Sequence, residues 1–325
     1  MTSASTPKDA AASRRLSFDP AVAIAYGCII ALLLIGSIYS PKFLSAPYLL
    51  QQLKVASFLG IVATGMMFVI LLGQIDLSLP WVLTTGAMMA SAAAAHEGVV
   101  GLLSVPFGLL CGAAIGLVNG FAVAYMRVPS MIVTLATNAV AQGLMIAYTG
   151  GFSPRDTASP LMRALATGSL IPEVANGVLV WAVVALVALF VLRRTTFGRT
   201  LYAIGNRERA AYMSGLATRS TMLWAFVVAG VLNALGGVLL AGYSAKASQS
   251  MGDAYLLPAI AAVVLGGTHV MGGKGSYLGT IAGVILVTLL QSILSVMQIE
   301  EAGRQLIYGA VIIAMLLLYG RQRLP

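Results

Sequence analysis

The sequence predicts an all-α, polytopic membrane domain of about ten spanning helices, and three observations carry that expectation. Of 325 residues, 59% are hydrophobic and 9% charged, against about 25% charged in an ordinary soluble domain. The apolar residues fall in runs long enough to cross a hydrocarbon core ~30 Å thick at 1.5 Å of helix rise per residue. Lysines and arginines collect on one side of those runs, as the positive-inside rule requires. Together these exclude a soluble globular enzyme. The net charge of +9 would suggest nucleic acid in a soluble chain, but no basic cluster here is interleaved with stacking aromatics. Nucleic acid is not an expected partner; the lipid bilayer is.

In chain order, residues 1–20 read as a polar cytoplasmic tail. Within it Arg14 and Arg15 precede an apolar run in the manner of a twin-arginine signal, but nine further runs follow the first, so the pair is expected to anchor an uncleaved span. The predicted spans are 21–39, 55–73, 79–95, 99–126, 131–148, 174–192, 221–243, 256–270, 277–297 and 305–319, inside a permease domain covering 21–320. Residues 321–325 form a short cytoplasmic tail. The third and eighth spans are short, and half-helices or re-entrant elements buried in protein fit them equally well.

With the amino terminus inside, the cytoplasmic segments hold thirteen Lys and Arg and the outer segments six. Both termini are therefore expected in the cytoplasm of a bacterial inner-membrane protein. Six of the thirteen lie in the loop 193–220. Within that loop the stretch 206–214 is polar but helix-competent, and Gly215 suits a helix stop, so a short helix outside the membrane is expected.

Catalytic chemistry finds little support. The stretch 266–275 is glycine-rich, but aligning it on Lys274 as a P-loop puts Thr268 at the first glycine and Gly275 at the hydroxyl residue. Both positions fail, so no ATP or magnesium site is expected in this chain. Cys28 and Cys111 lie in apolar runs without a CxxC, and two histidines, His96 and His269, do not supply a zinc set. No catalytic residue and no metal is expected. Asp76 is the single carboxylate near a span interior, and it reads as a cap for the following helix. Without a chain of intramembrane acids, ion coupling lacks its usual groups. Glycines at four-residue spacing, Gly112, Gly116 and Gly120, then Gly275, Gly279 and Gly283, suit close helix packing in lipid. Asn119, Thr134, Asn138, Gln142, Asn233 and Gln291 place neutral hydrogen-bonding groups inside spans. Either interhelical bonds or contacts with a polar solute account for them.

From about residue 55 to residue 319 the chain resembles the integral-membrane permease of ribose-type sugar ABC importers, within the branched-chain amino acid/ribose permease superfamily. Gly73-Gln74-Ile75-Asp76-Leu77-Ser78 is similar to the family's GGIDLS, with Gln74 for a glycine and Leu79-Pro80 for its usual Val-Gly. Asn119-Gly120, then PSMIVTL from Pro129 and Gly143, match its central pattern. The succession TxFGR, YAIGxN, AAxxSG is reproduced by Thr196 to Arg199, Tyr202 to Asn206, and Ala210-Ala211 to Ser214-Gly215. Gly266-Gly267-Thr268 and Gly272-Gly273-Lys274-Gly275 look like its last signature, with His269 where a serine is usual.

The resemblance implies a type II importer fold. It also implies a dimer of permease chains, identical or paralogous, with cytoplasmic ATPase subunits that carry ATP and Mg, and a periplasmic solute-binding protein. A coupling helix docks into the ATPase in such importers; by position it comprises Asn206, Arg207, Glu208, Arg209, Ala210, Ala211, Ser214 and Gly215. The signature glycines Gly266, Gly267, Gly272 and Gly273, with Asp76, are expected to be structural. The expected cargo is a neutral pentose, hexose or similar polyol. Nucleosides or branched-chain amino acids, and an autonomous secondary transporter, are the competing readings.

Overall fold

The computed structural model describes residues 20–96, 101, 103–152 and 156–320. The tail 1–19 with Arg14 and Arg15, the outer Arg155, and the tail 321–325 lie outside the described residues. Twelve α-helices are described: α1 Pro20–Tyr39, α2 Ala46–Leu71, α3 Leu79–Ala94, α4 Ser104–Ala124, α5 Ser130–Thr149, α6 Pro160–Thr167, α7 Asn176–Arg194, α8 Thr196–Met213, α9 Thr218–Ser244, α10 Leu256–Leu265, α11 Tyr277–Val296 and α12 Glu301–Gly320. No strand is present among the described residues. Among the described residues six helices are long and apolar enough to cross a membrane, namely α2, α4, α5, α7, α9 and α11.

Two helices form the centre. α2 is buried on every face from Ala56 to Leu71, as an all-round apolar helix must be when protein rather than lipid surrounds it. α9 packs against α2, α3, α4 and α6. Its crossing with α4 rests on the glycine stripe expected from the sequence. A Cβ on Gly112 would meet the carbonyl oxygen of Gly230, one on Gly116 that of Phe226, and one on Gly120 that of Leu223. The obstacle in each case is backbone, which no rotamer change relieves, so only glycine permits the approach. Gly283 serves α10 and α11 in the same way, against the Ala262 carbonyl, and a Cβ on Gly266 would meet the backbone of Gly279. Gly275 instead sits against the Thr268 side chain. By contrast α4, α5 and α7 bury only a narrow stripe and expose large apolar side chains, among them Leu110, Leu144 and Leu186. These faces suit contact with lipid tails.

Several sequence expectations shift. α2 begins nine residues before the predicted start at 55, where Pro47 in the first turn suits a helix start. With 26 residues it is about 39 Å long and overshoots the hydrocarbon core. The eighth span is not a full span: α10 has 10 residues, about 15 Å. The irregular backbone that follows it, 266–276, turns the chain back into α11, which packs antiparallel on α10, and in it Gly267, Gly272 and Gly273 take positive φ. α3, at 16 residues, is preceded by a second irregular segment, 73–78. Such backbone is tolerated at depth only where protein covers it. α6, between α5 and α7, was not expected. It is short and starts at a Ser159 cap whose hydroxyl accepts from the Met162 N–H at 3.1 Å.

Candidate functional site

The two irregular segments meet, and α8 closes over them. The Gly273 N–H donates to the Leu71 carbonyl at the end of α2 (3.0 Å). Gly73 and Gly272, both with positive φ, stand so close that a Cβ on either would strike the other segment's backbone. Gly205 of α8 lies on the Leu71 oxygen and the Gly273 nitrogen, and Gly273 lies on Asn206. Tyr202, also on α8, donates its hydroxyl to the Gly275 carbonyl at 3.0 Å. Burial raises the pKa of that phenol, and the Arg193 charge lowers it. The expectation that Gly266, Gly272 and Gly273 are structural thus has a geometric basis, and Gly267 supplies a further left-handed turn.

α8 itself departs from the predicted short helix at 206–214. It starts ten residues earlier, where the Thr195 hydroxyl accepts from the Gly198 N–H (3.2 Å), and is broken at Arg207, whose backbone is extended. The part before the break is joined to the membrane core. The part after it ends as the sequence predicts: Leu216 N–H donates to Ala211 O, Gly215 N–H to Tyr212 O, and Gly215 takes φ 78°, the Schellman arrangement.

The predicted coupling residues separate accordingly. Ala211 is buried in the core and Asn206 abuts Gly273, whereas Arg207, Arg209, Ala210, Ser214 and Gly215 are exposed. Glu208 pairs with Arg127 in the turn between α4 and α5, where Arg127 takes φ 60°. Sequence reasoning missed Tyr212 and Met213, which are 60% and 79% exposed and form an apolar tip beside the arginines. An exposed Tyr-Met pair at the end of a polar helix was the available signal.

A second assembly surrounds the segment 73–78. Asp76, 2% exposed, accepts from both the Ser78 N–H (2.9 Å) and the Ser78 hydroxyl (2.5 Å). It therefore shapes the turn, while the cap position of α3 belongs to Ser78. Asn119 of α4 donates to the Ser78 oxygen (2.8 Å) and accepts from Thr137 (2.7 Å). From α5, Thr134 accepts from the Leu77 N–H (3.0 Å), Ser130 from the Ile75 N–H (3.4 Å), and Asn138 from the Trp81 N–H (3.3 Å).

Three of the six candidate pathway residues are thus brought together, Thr134 and Asn138 as acceptors of backbone N–H groups and Asn119 as partner of the Ser78 and Thr137 hydroxyls. Asn119 has both amide atoms occupied and is 1% exposed, so in this conformation it offers nothing to a solute. Gln142 is exposed on α5, Gln291 is half-buried on α11, and Asn233 is buried on α9 with its carbonyl oxygen unpartnered. These three do not join the cluster. Ser130 and Thr137 were missed, although 130, 134, 137 and 138 form a polar stripe at helical spacing. Among the described residues no group of three or more His, Cys, Asp or Glu could hold a metal.

Residues 48–316 match the family model described as branched-chain amino acid transport system / permease component. The chain is similar to the ribose import permease protein RbsC of Haemophilus influenzae, 34% identical over 89% of this chain and 90% of that protein. The Bacillus subtilis protein of the same name is 34% identical over 88% and 89%. The autoinducer 2 import system permease protein LsrC of Yersinia enterocolitica is 33% identical over 82% and 74%. No solved structure matches the chain.

Proposed function

Because this chain belongs to the branched-chain amino acid transport system / permease component family, we propose that it forms the membrane-spanning subunit of an ABC importer for a neutral sugar of the ribose type. The observation that carries the reading is its similarity, over about nine-tenths of its length, to two ribose import permeases. The relative named for autoinducer 2 import is similar over less of the chain. Amides and hydroxyls, rather than fixed charges, as the polar groups within the spans also favour a neutral solute.

In this reading α8 and both termini face the cytoplasm, ATP and Mg bind to partner ATPase subunits, a solute-binding protein delivers the sugar from outside, and two permease chains line the path. The partner ATPase contacts Arg207, Arg209, Tyr212 and Met213, beyond the break in α8. Its movement reaches the membrane core by two routes, through Gly205 to the end of α2 and through Glu208–Arg127 to the root of α5.

Proteoliposomes test this. With its ATPase and binding protein the chain is expected to take up radiolabelled ribose or a related sugar on ATP addition, and alone to show no uptake. Ion-gradient-driven uptake by the chain alone would overturn the reading. In the complete system Glu208→Arg is expected to lower sugar imported per ATP hydrolysed about tenfold, and the exchanged pair R127E/E208R to recover most of it. Unchanged stoichiometry in Glu208→Arg would remove the second route.

A further inference from the structure

An apolar cleft of about 490 Å³ opens between α2, α7 and α9, with α8 beneath it. Phe68, Val187, Val191, Phe197, Trp224 and Val228 line it, and Phe68 and Phe197 close its floor with ring centroids 6.3 Å apart. Its size is that of a small-molecule site, but its chemistry excludes a sugar. The two hydroxyls that reach it are already engaged: Thr64 donates to Gly60 O and bonds Tyr277, and Thr195 donates to Val191 O and accepts from Gly198.

Length and charge identify a different occupant. Along α7 and its cap the lining runs from Val183 to Thr195, twelve helical steps or about 18 Å. That is close to one leaflet of a hydrocarbon core ~30 Å thick, and too short for a spanning helix. At the Thr195 end stands Arg194, on the α7 face that carries Val187 and Val191. Arg219 sits at the same end, in the first turn of α9. Both arginines are exposed, and neither has a carboxylate partner among the described residues. Trp224, 54% exposed, offers an amphipathic ring at that end, as tryptophans do at membrane interfaces. Basic pockets between spanning helices on the cytoplasmic side suit anionic headgroups.

We propose that this cleft binds one anionic phospholipid of the cytoplasmic leaflet. An acyl chain lies between α2, α7 and α9, and the phosphate rests on Arg194. The leaflet assignment rests on the orientation given above; the choice of an anionic headgroup does not. Since Phe197 belongs to α8, the bound chain packs against the root of the coupling segment.

Native mass spectrometry of the full chain in detergent, titrated with equal concentrations of phosphatidylglycerol or phosphatidylcholine, tests the proposal. Wild type is expected to retain phosphatidylglycerol about tenfold more. Arg194→Gln is expected to reduce that preference to under threefold, and Val187→Trp to abolish retention of both lipids. Leu186→Trp, on the part of α7 facing away from the cleft, is the control for an added indole and should change neither. A folding failure in Val187→Trp shows by size exclusion, and Arg194→Gln then carries the test alone. Equal retention of both lipids, or no effect of Arg194→Gln, would overturn the proposal. So would a photo-crosslinker at Val187 that captures a second copy of this chain instead of lipid. Sugar uptake is not read in this experiment, so its failure leaves the importer reading standing.

Discussion

Gly205→Val is expected to abolish sugar uptake by the assembled importer while the chain still inserts into the membrane. At Gly205 the added Cβ falls on the Leu71 oxygen and the Gly273 nitrogen, which are themselves joined by a hydrogen bond of 3.0 Å. Both are backbone atoms of segments packed on other helices, so relief requires α8 to lift away from the end of α2. Overpacking of this kind costs about 1–3 kcal/mol, a modest loss of stability. In the reading proposed above the functional loss is larger, because the contact that moves is the one assigned to transmit ATPase movement to α2. Uptake below about a tenth of wild type is expected, with ATP hydrolysis retained. Gly205→Ala should reproduce most of the effect, since the first carbon causes the clash. Gly215→Ala provides the contrast: it has positive φ but open space around its Cα, so its cost is a left-handed penalty of about 1–2 kcal/mol. If uptake by Gly205→Val is near wild type, α8 does not transmit through this junction.

Asp76→Ala is expected to lower thermal stability more than any other change in the 73–78 cluster. It removes the one acceptor of both the Ser78 N–H and the Ser78 hydroxyl. Leaving a buried donor unpaired costs about 1–3 kcal/mol, and here two are affected together. Asp76→Asn keeps an acceptor oxygen and should lose much less. Thermal unfolding in detergent should show the loss in Asp76→Ala and a midpoint closer to wild type in Asp76→Asn. An unaltered midpoint in Asp76→Ala would show that the turn at 73–78 does not depend on this carboxylate.

Much of this architecture was legible from the chain alone. Apolar runs located most of the long helices to within a few residues, because a span must satisfy its backbone internally and a run of that length leaves little alternative. The stripe of Gly112, Gly116 and Gly120 announced a close crossing, and α9 supplies the partner backbone. Gly215 marked the end of α8 correctly. The beginning of α8 was not visible in the same way, because Thr196 to Gly205 mixes small, apolar and basic residues without a clear period, and tertiary contacts with Leu71 and Gly273 hold it helical.

By itself, then, the sequence determined an all-α membrane protein, the connecting segments in which its basic residues gather, and the segments that carry its family signatures. Those properties depend on composition and local periodicity, which survive without knowledge of distant contacts. Only the tertiary structure decided that 73–78 and 266–275 touch, that Gly205 is wedged against Leu71 and Gly273, that Thr134 and Asn138 bond backbone N–H groups, and that Asn119 bonds the Ser78 and Thr137 hydroxyls. Each of these joins residues far apart in the chain. An amide in a spanning helix looks the same in sequence whether it faces a solute or a neighbouring turn. What distinguishes the two is the burial and the partner, such as the Ser78 oxygen 2.8 Å from Asn119, and these are set by how the helices pack.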